Sequence, residues 1–416
     1  MFTSERAAQA RALRLPAARR RFIAVAVLGM IGHGIWVPLM FLFFTVGRGL
    51  PLAESGTAVT FGGCVALVFG TTVTWRVVDR IGPFRTKALA GVFDVPAFAG
   101  YLVTHNLVEV AVFSALAATA GSLFFAADPE AVRRISLDEH ERVRTFAMLT
   151  SLRVIGFGLG AVLATLGLVI DIGAGWVWNV MVVVIAGVNS LSAAMFWTLR
   201  YVDDIWFPYD DHSESGGALP RYRDVLRQGR FMVFVGGVFV VALVTIGMDV
   251  TLPVYLLSLG LPRWSSTMSY LVICVVIALA APMVGRLSRV VEHLNLLIAA
   301  TISLAAGYLV LVTMTVVRDR TWMVLVLAGG LILFSLADAT SNALAGNVML
   351  SFAPAGSSGR HASLFQTAWG LAAPVAPGIY AGVFSIGRTL PWILSAVLLV
   401  GAGAAYSAVR RSGSPV

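Results

Sequence analysis

Five ionisable side chains stand inside long apolar runs of this 416-residue chain: His33, Asp94, Arg153, Asp249 and Asp338. If those runs cross a bilayer, each charge costs roughly 2.5–3.5 kcal/mol at mid-depth, so each should face a cavity or a partner. A carboxyl group in a low-dielectric site can exchange protons near neutral pH, and an imidazole does so with little help. Asp338 lies deep in ILFSLADATSNALAG beside Ser335, Thr340, Ser341 and Asn342, which suits protonation or recognition of a cation. Asp249, in TIGMDVTLPVY, is the second candidate of this kind. His33 sits between glycines in GMIGHGIWVP, where backbone or substrate can come close. Asp94 and Arg153 have opposite charges, and a static pair between them is the expected use.

Other chemistries lack their residues. Lys87 is the only lysine, and no glycine-rich phosphate loop precedes it, which argues against an ATP-driven pump. No cluster of metal ligands and no nucleophile with a matching base can be assembled, so neither a cofactor, a metal nor a catalytic residue is expected. Cys64 and Cys274 fall in separate apolar runs and read as packing residues. The net charge of +9 has a better explanation in topology than in nucleic-acid binding.

The elements that must position these groups follow from composition. Of the residues, 58% are hydrophobic and only 12% charged, whereas a soluble domain carries about 25% charged residues. The apolar runs are continuous rather than alternating, so they read as helices that satisfy their own backbone hydrogen bonds. Twelve such runs are expected, at 22–45, 56–76, 87–104, 107–127, 145–169, 174–197, 231–257, 265–284, 294–316, 321–343, 362–384 and 390–409. The sequence therefore predicts an all-α membrane protein of two six-helix halves, 22–197 and 231–409. Residues 1–21 and 410–416 become tails and 198–230 a polar linker with a short basic surface helix at its end. The segments between runs alternate in basic content. With the N-terminus in the cytoplasm, 24 of the 30 basic residues fall inside and five outside, which predicts both termini cytoplasmic. An offset of 216 residues pairs Arg144 with Arg360, Gly160 with Ala376 and His33 with Asp249, as an internal repeat would.

Two short patterns sharpen this. Between the second and third runs the chain reads WRVVDRIGPFRTK, and the fifth contains GFGLGAVLA. The first resembles the loop signature of the major facilitator superfamily, approximately G-x-x-x-D-R-x-G-R-R/K. Asp79, Arg80 and Gly82 match it, Arg85 is displaced by one residue, and Trp75 replaces the leading glycine. The second is similar to that family's exporter motif, with Gly156 and Gly160 in place but Ala161 where a proline is usual. Small residues at that spacing let two helices approach closely.

The resemblance covers essentially the whole chain. It implies a secondary active transporter in a bacterial cell membrane, moving a small molecule by alternating access, with efflux of drugs or metabolites by proton antiport as the leading branch. Asp79, Arg80, Gly82 and Arg85 would close the cytoplasmic side, with Asp128 at the end of the fourth run pairing with Arg80 or Arg85. The protein would act as a monomer whose partners are a small-molecule substrate, protons and the lipid bilayer, with no nucleic acid. A proton-driven importer of a nutrient and a non-transporting receptor are the alternatives.

Overall fold

A computed structural model describes residues 2–136, 139–170, 175–205, 222–353 and 358–412. Among them are twelve helices of 18 residues or more. In the first half of the chain these are α1 (Phe2–Leu42), α2 (Leu52–Phe69), α3 (Pro83–Tyr101), α4 (Leu107–Ala126), α5 (Glu139–Ile170) and α6 (Trp176–Thr198). In the second they are α7 (Gly229–Ser258), α8 (Trp264–Leu287), α9 (His293–Thr313), α10 (Arg320–Ser351), α11 (Ser358–Ile386) and α12 (Leu390–Arg411). Eleven membrane-length apolar helical segments are present; α3 does not qualify. Arg85, Lys87 and Asp94 interrupt its 19 residues.

The chain forms two compact units, Met1–Pro51 with Ala58–Asp211, and Leu52–Thr57 with His212–Val416. In the first unit α1 packs on α5 and α6, and α3 packs on α4 and α6. In the second, α7 packs on α11 and α12, and α9 packs on α10 and α12. Each pairing of the first unit thus recurs six helices later, as the 216-residue offset requires.

The α1–α5 crossing is set by glycines. A Cβ on Gly160 would lie 2.2 Å from the Ile31 carbonyl oxygen, and one on Gly34 would lie 2.1 Å from that of Phe157. Gly156 likewise faces the Val27 carbonyl. Only glycine leaves room for backbones this close.

Two of the long helices carry their own side-chain N-caps. Asn106 and Glu109 form a reciprocal capping box on α4. Asp319 accepts from the Thr321 and Trp322 amides at the head of α10. One start differs from expectation: α1 runs back to Phe2, where a tail of 21 residues was predicted. Its first turns are rich in alanine and arginine, both strong helix formers, and contain no glycine. Of the predicted linker, residues 206–221 lie outside the described residues. Its flanks form short helices, Tyr201–Ile205 and Tyr222–Leu226.

The second unit buries tyrosines whose hydroxyls reach backbone carbonyls. The Tyr255 hydroxyl donates to the Leu311 carbonyl at 2.7 Å and that of Tyr308 to the Val244 carbonyl at 3.0 Å. Trp392 stacks on Tyr308. The first unit has an aromatic cluster of its own, Trp36, Phe43, Phe44, Phe98 and Tyr101.

Candidate functional site

Lys87 lies one helical turn into α3 and is fully buried. Its ammonium donates to Asp128 at 2.7 Å and to the Phe124 carbonyl at 2.6 Å. The faces of Phe22, Phe124 and Phe196 surround it, the nearest ring centroid 3.8 Å away. Asp128 opens a short helix, Asp128–Ile135, and its other oxygen lies 2.7 Å from Arg153 of α5. Three helices are thereby tied through one carboxylate. The two expected pairings are both corrected. Asp128 meets Lys87 and Arg153 rather than Arg80 or Arg85. Asp94 accepts from Asn189 of α6 rather than pairing with Arg153. The reasons are geometric. Positions 85 and 87, two residues apart on α3, point to different neighbours, and α3 packs on α4 and α6 but not on the middle of α5.

A second knot surrounds Gly82, whose φ of +87° ends the helix Trp75–Ile81 and starts α3. This is a backbone conformation that glycine adopts without strain. A Cβ there would fall 2.5 Å from the carboxyl carbon of Asp203. That carboxylate accepts from the Arg85 amide at 3.0 Å and caps α3 from outside the helix. It also pairs with Arg134 at 3.1 Å, while Arg134 and Arg133 share Glu130. The Arg85 guanidinium turns outward to Asp204 at 2.6 Å. Sequence reasoning missed Asp203 and Asp204 because they read as the acidic start of a linker. It also passed over Lys87, whose signal was its being the only lysine in an arginine-rich chain.

Asp79 and Arg80 are exposed and make no ion pair among the described residues. Asp79 lies in the wall of a cavity of about 530 Å³ with Thr74, Glu130, Arg133 and Arg142. His33 on α1 is exposed and meets the ring edges of Phe125 and Phe157, with centroids 6.5 and 6.0 Å away.

In the second unit the two carboxylates have neutral partners. Asp249 of α7 accepts from the Tyr270 hydroxyl of α8 at 2.9 Å. Asp338 of α10 accepts from Asn342 one turn along the same helix, and it lies within electrostatic reach of Asp249. Neither forms an ion pair among the described residues, and both are half-buried. Asn342 was legible as the neighbour four residues on; Tyr270, on another helix, was not.

Two six-helix units of repeated topology, with charges placed inside their spans, define a polytopic membrane protein of the transporter class. Residues 97–377 match the Major Facilitator Superfamily, and the chain belongs to that family. It is accordingly a membrane transporter and not an enzyme. Its fold is similar to a mutant form of the nucleoside transporter NupG, with a TM-score of 0.76 at 11% identity over 94% of this chain and 99% of that one. A bacterial homologue of the iron transporter ferroportin in an inward-facing state has a TM-score of 0.71 at 12% identity, over 94% and 98% of the two chains. The tetrameric PepTSo2 has a TM-score of 0.67 at 14% identity, over 96% of each. At these identities the likeness is one of fold. No protein with a curated description matches the chain.

Proposed function

We propose that this chain is a proton-coupled exporter of a small drug-like molecule or metabolite, multi-pass in a bacterial cell membrane, with both termini in the cytoplasm. The observation that carries the coupling is the pair Asp249 and Asp338. Each is held by a neutral donor, so the loss or gain of a proton breaks no ion pair. A carboxylate in this setting changes charge as access switches from one side to the other. Asp79, Arg80, Gly82 and Arg85 form the cytoplasmic gate in this reading. Asp79 and Arg80 are available to new partners, and Asp128 anchors the gate through Lys87 and Arg153. The protein works as a monomer with no cofactor.

The test begins with a drug-tolerance screen in an efflux-deficient bacterial host, followed by reconstitution of the full chain with the compound that scores. Energised inside-out vesicles should release protons when that compound is added. Asp338→Asn should abolish uphill transport driven by a pH gradient yet keep substrate counterflow, which needs no net proton movement. Full uphill transport by Asp338→Asn overturns the proton role, and accumulation of the compound by intact cells reverses the direction.

A further inference from the structure

Two cations and one carboxylate share the interior of the first unit. Lys87 is saturated, with Asp128, a backbone carbonyl and three ring faces around its ammonium. Arg153 is not. Its Nη2 approaches one oxygen of Asp128, but without hydrogen-bond alignment, and its buried Nε has no acceptor either. The uncompensated positive charge of the trio therefore rests on Arg153, whose side chain is 17% exposed. Phe124 and Phe125 lie beside the guanidinium, with centroids 5.9 and 5.5 Å from Cζ. Beyond them His33 is exposed, within electrostatic reach of Arg153 and edge-on to Phe125 and Phe157. Phe125 is itself 45% exposed. An exposed imidazole and a partly exposed guanidinium on spanning helices are poorly placed against lipid and well placed along a water-filled path.

We propose that Arg153, assisted by His33, binds the anionic group of the transported molecule, and that this molecule is a small carboxylate with an apolar or aromatic body. With Nε and Nη2 buried, Nη1 is the nitrogen that would donate a charge-assisted hydrogen bond to a carboxylate. Phe125 and Phe157 offer ring edges and faces to the body of such a ligand. The ligand's charge balances the excess that Asp128 leaves uncompensated. The proposal deepens the transport reading by naming the substrate class, but its test requires no transport.

Radiolabelled benzoate binding to the purified full chain in detergent provides that test, with unlabelled benzoate, benzamide and benzylamine as competitors. Saturable binding that benzoate displaces and the neutral and cationic analogues do not is the expected result. Arg153→Gln should weaken it about 10- to 100-fold, as loss of a charge-assisted contact does. Arg153→Lys should keep part of the affinity and His33→Gln should lose less than Arg153→Gln. Absence of saturable binding, equal displacement by benzamide, or wild-type affinity in Arg153→Gln overturns the proposal. If Arg153→Gln does not fold, wild-type affinity in both Arg153→Lys and His33→Gln does the same. Proton-driven transport by the unaltered chain is measured separately, so a failure here leaves the coupling by Asp338 standing or falling on its own data.

Discussion

The two units share a helix topology and differ in how they hold charge. Apart from His33 and from Asp94, which the Asn189 amide holds, the first ties its interior charges against one another: Lys87 and Arg153 on Asp128, and Arg134 on Asp203 and Glu130. The second holds Asp249 and Asp338 with a tyrosine hydroxyl and an amide. An ion pair loses most of its attraction when one member is neutralised, whereas a carboxyl held by a neutral donor keeps a hydrogen bond in either state. The contrast assigns rigidity to the first unit's charges and titration to the second's, and it is open to attack at several residues.

The largest effect is expected at Lys87. Lys87→Met fills much the same volume but leaves Asp128 with Arg153 alone and the Phe124 carbonyl without its donor. Breaking a buried pair costs about 3–5 kcal/mol, and the surviving Arg153 contact places this variant near about 3 kcal/mol. Thermal unfolding of the purified protein, with yield in the membrane fraction, measures it. A loss under about 1 kcal/mol would mean that the aromatic box, not the ion pair, holds these helices.

The next test uses backbone contact rather than charge. Ala376 occupies in α11 the place that Gly160 has in α5, by the 216-residue offset. The α1–α5 crossing has no room for the added methyl, since the obstacle is the Ile31 carbonyl and not a movable side chain. Gly160→Ala should cost about 1–3 kcal/mol as overpacking, whereas Ala376→Gly should cost about 1–2 kcal/mol from helix propensity and the loss of a buried methyl. Unfolding in a mild detergent distinguishes the two, and equal losses would remove the difference between the crossings.

The helices were legible in the sequence for the reason that makes membranes restrictive: a spanning backbone must pair with itself, so runs of about 20 apolar residues declare themselves. Starts were less legible than spans: the predicted 22–45 became Phe2–Leu42, and at α3, where Arg85 and Lys87 interrupt the run, 87–104 became Pro83–Tyr101. Positions of charge were legible as well, because a charge inside such a run is costly and conspicuous. Their partners were not. Asp203 reaches the Arg85 amide across 118 positions, and which of Arg85 and Lys87 meets Asp128 depends on which helix adjoins each face of α3. Adjacency between helices is set by packing, and no local pattern encodes it.

Asp203 itself offers a test of intermediate size. Asp203→Asn keeps the shape but removes the charge shared by Arg134 and the first turn of α3. Caps of this kind are worth about 0.5–2 kcal/mol, and a loss near about 1 kcal/mol is expected. The exposed neighbour pair should contribute less: Arg85→Gln should stay within about 0.2–1 kcal/mol of the parent. Unfolding at low and high salt separates them, because the exposed pair is screened and the cap much less so.

The smallest structural effect is expected where the functional effect is greatest. In Asp338→Asn the replacement amide can still hydrogen-bond Asn342, and no cation is stranded, so stability should change by under about 1 kcal/mol. Asp249→Asn should behave alike, because the Tyr270 hydroxyl can donate to an amide oxygen as it does to a carboxylate. Both variants should reach the membrane at parental levels while uphill transport is lost. The same neutralisation at Asp128, as Asp128→Asn, should instead strand Lys87 and Arg153 together and destabilise the fold by about 3 kcal/mol or more. Matched measurements on these three aspartates therefore decide the comparison directly. If Asp338→Asn and Asp128→Asn lose stability equally, the second unit's carboxylates are structural after all, and the division of labour between the units fails.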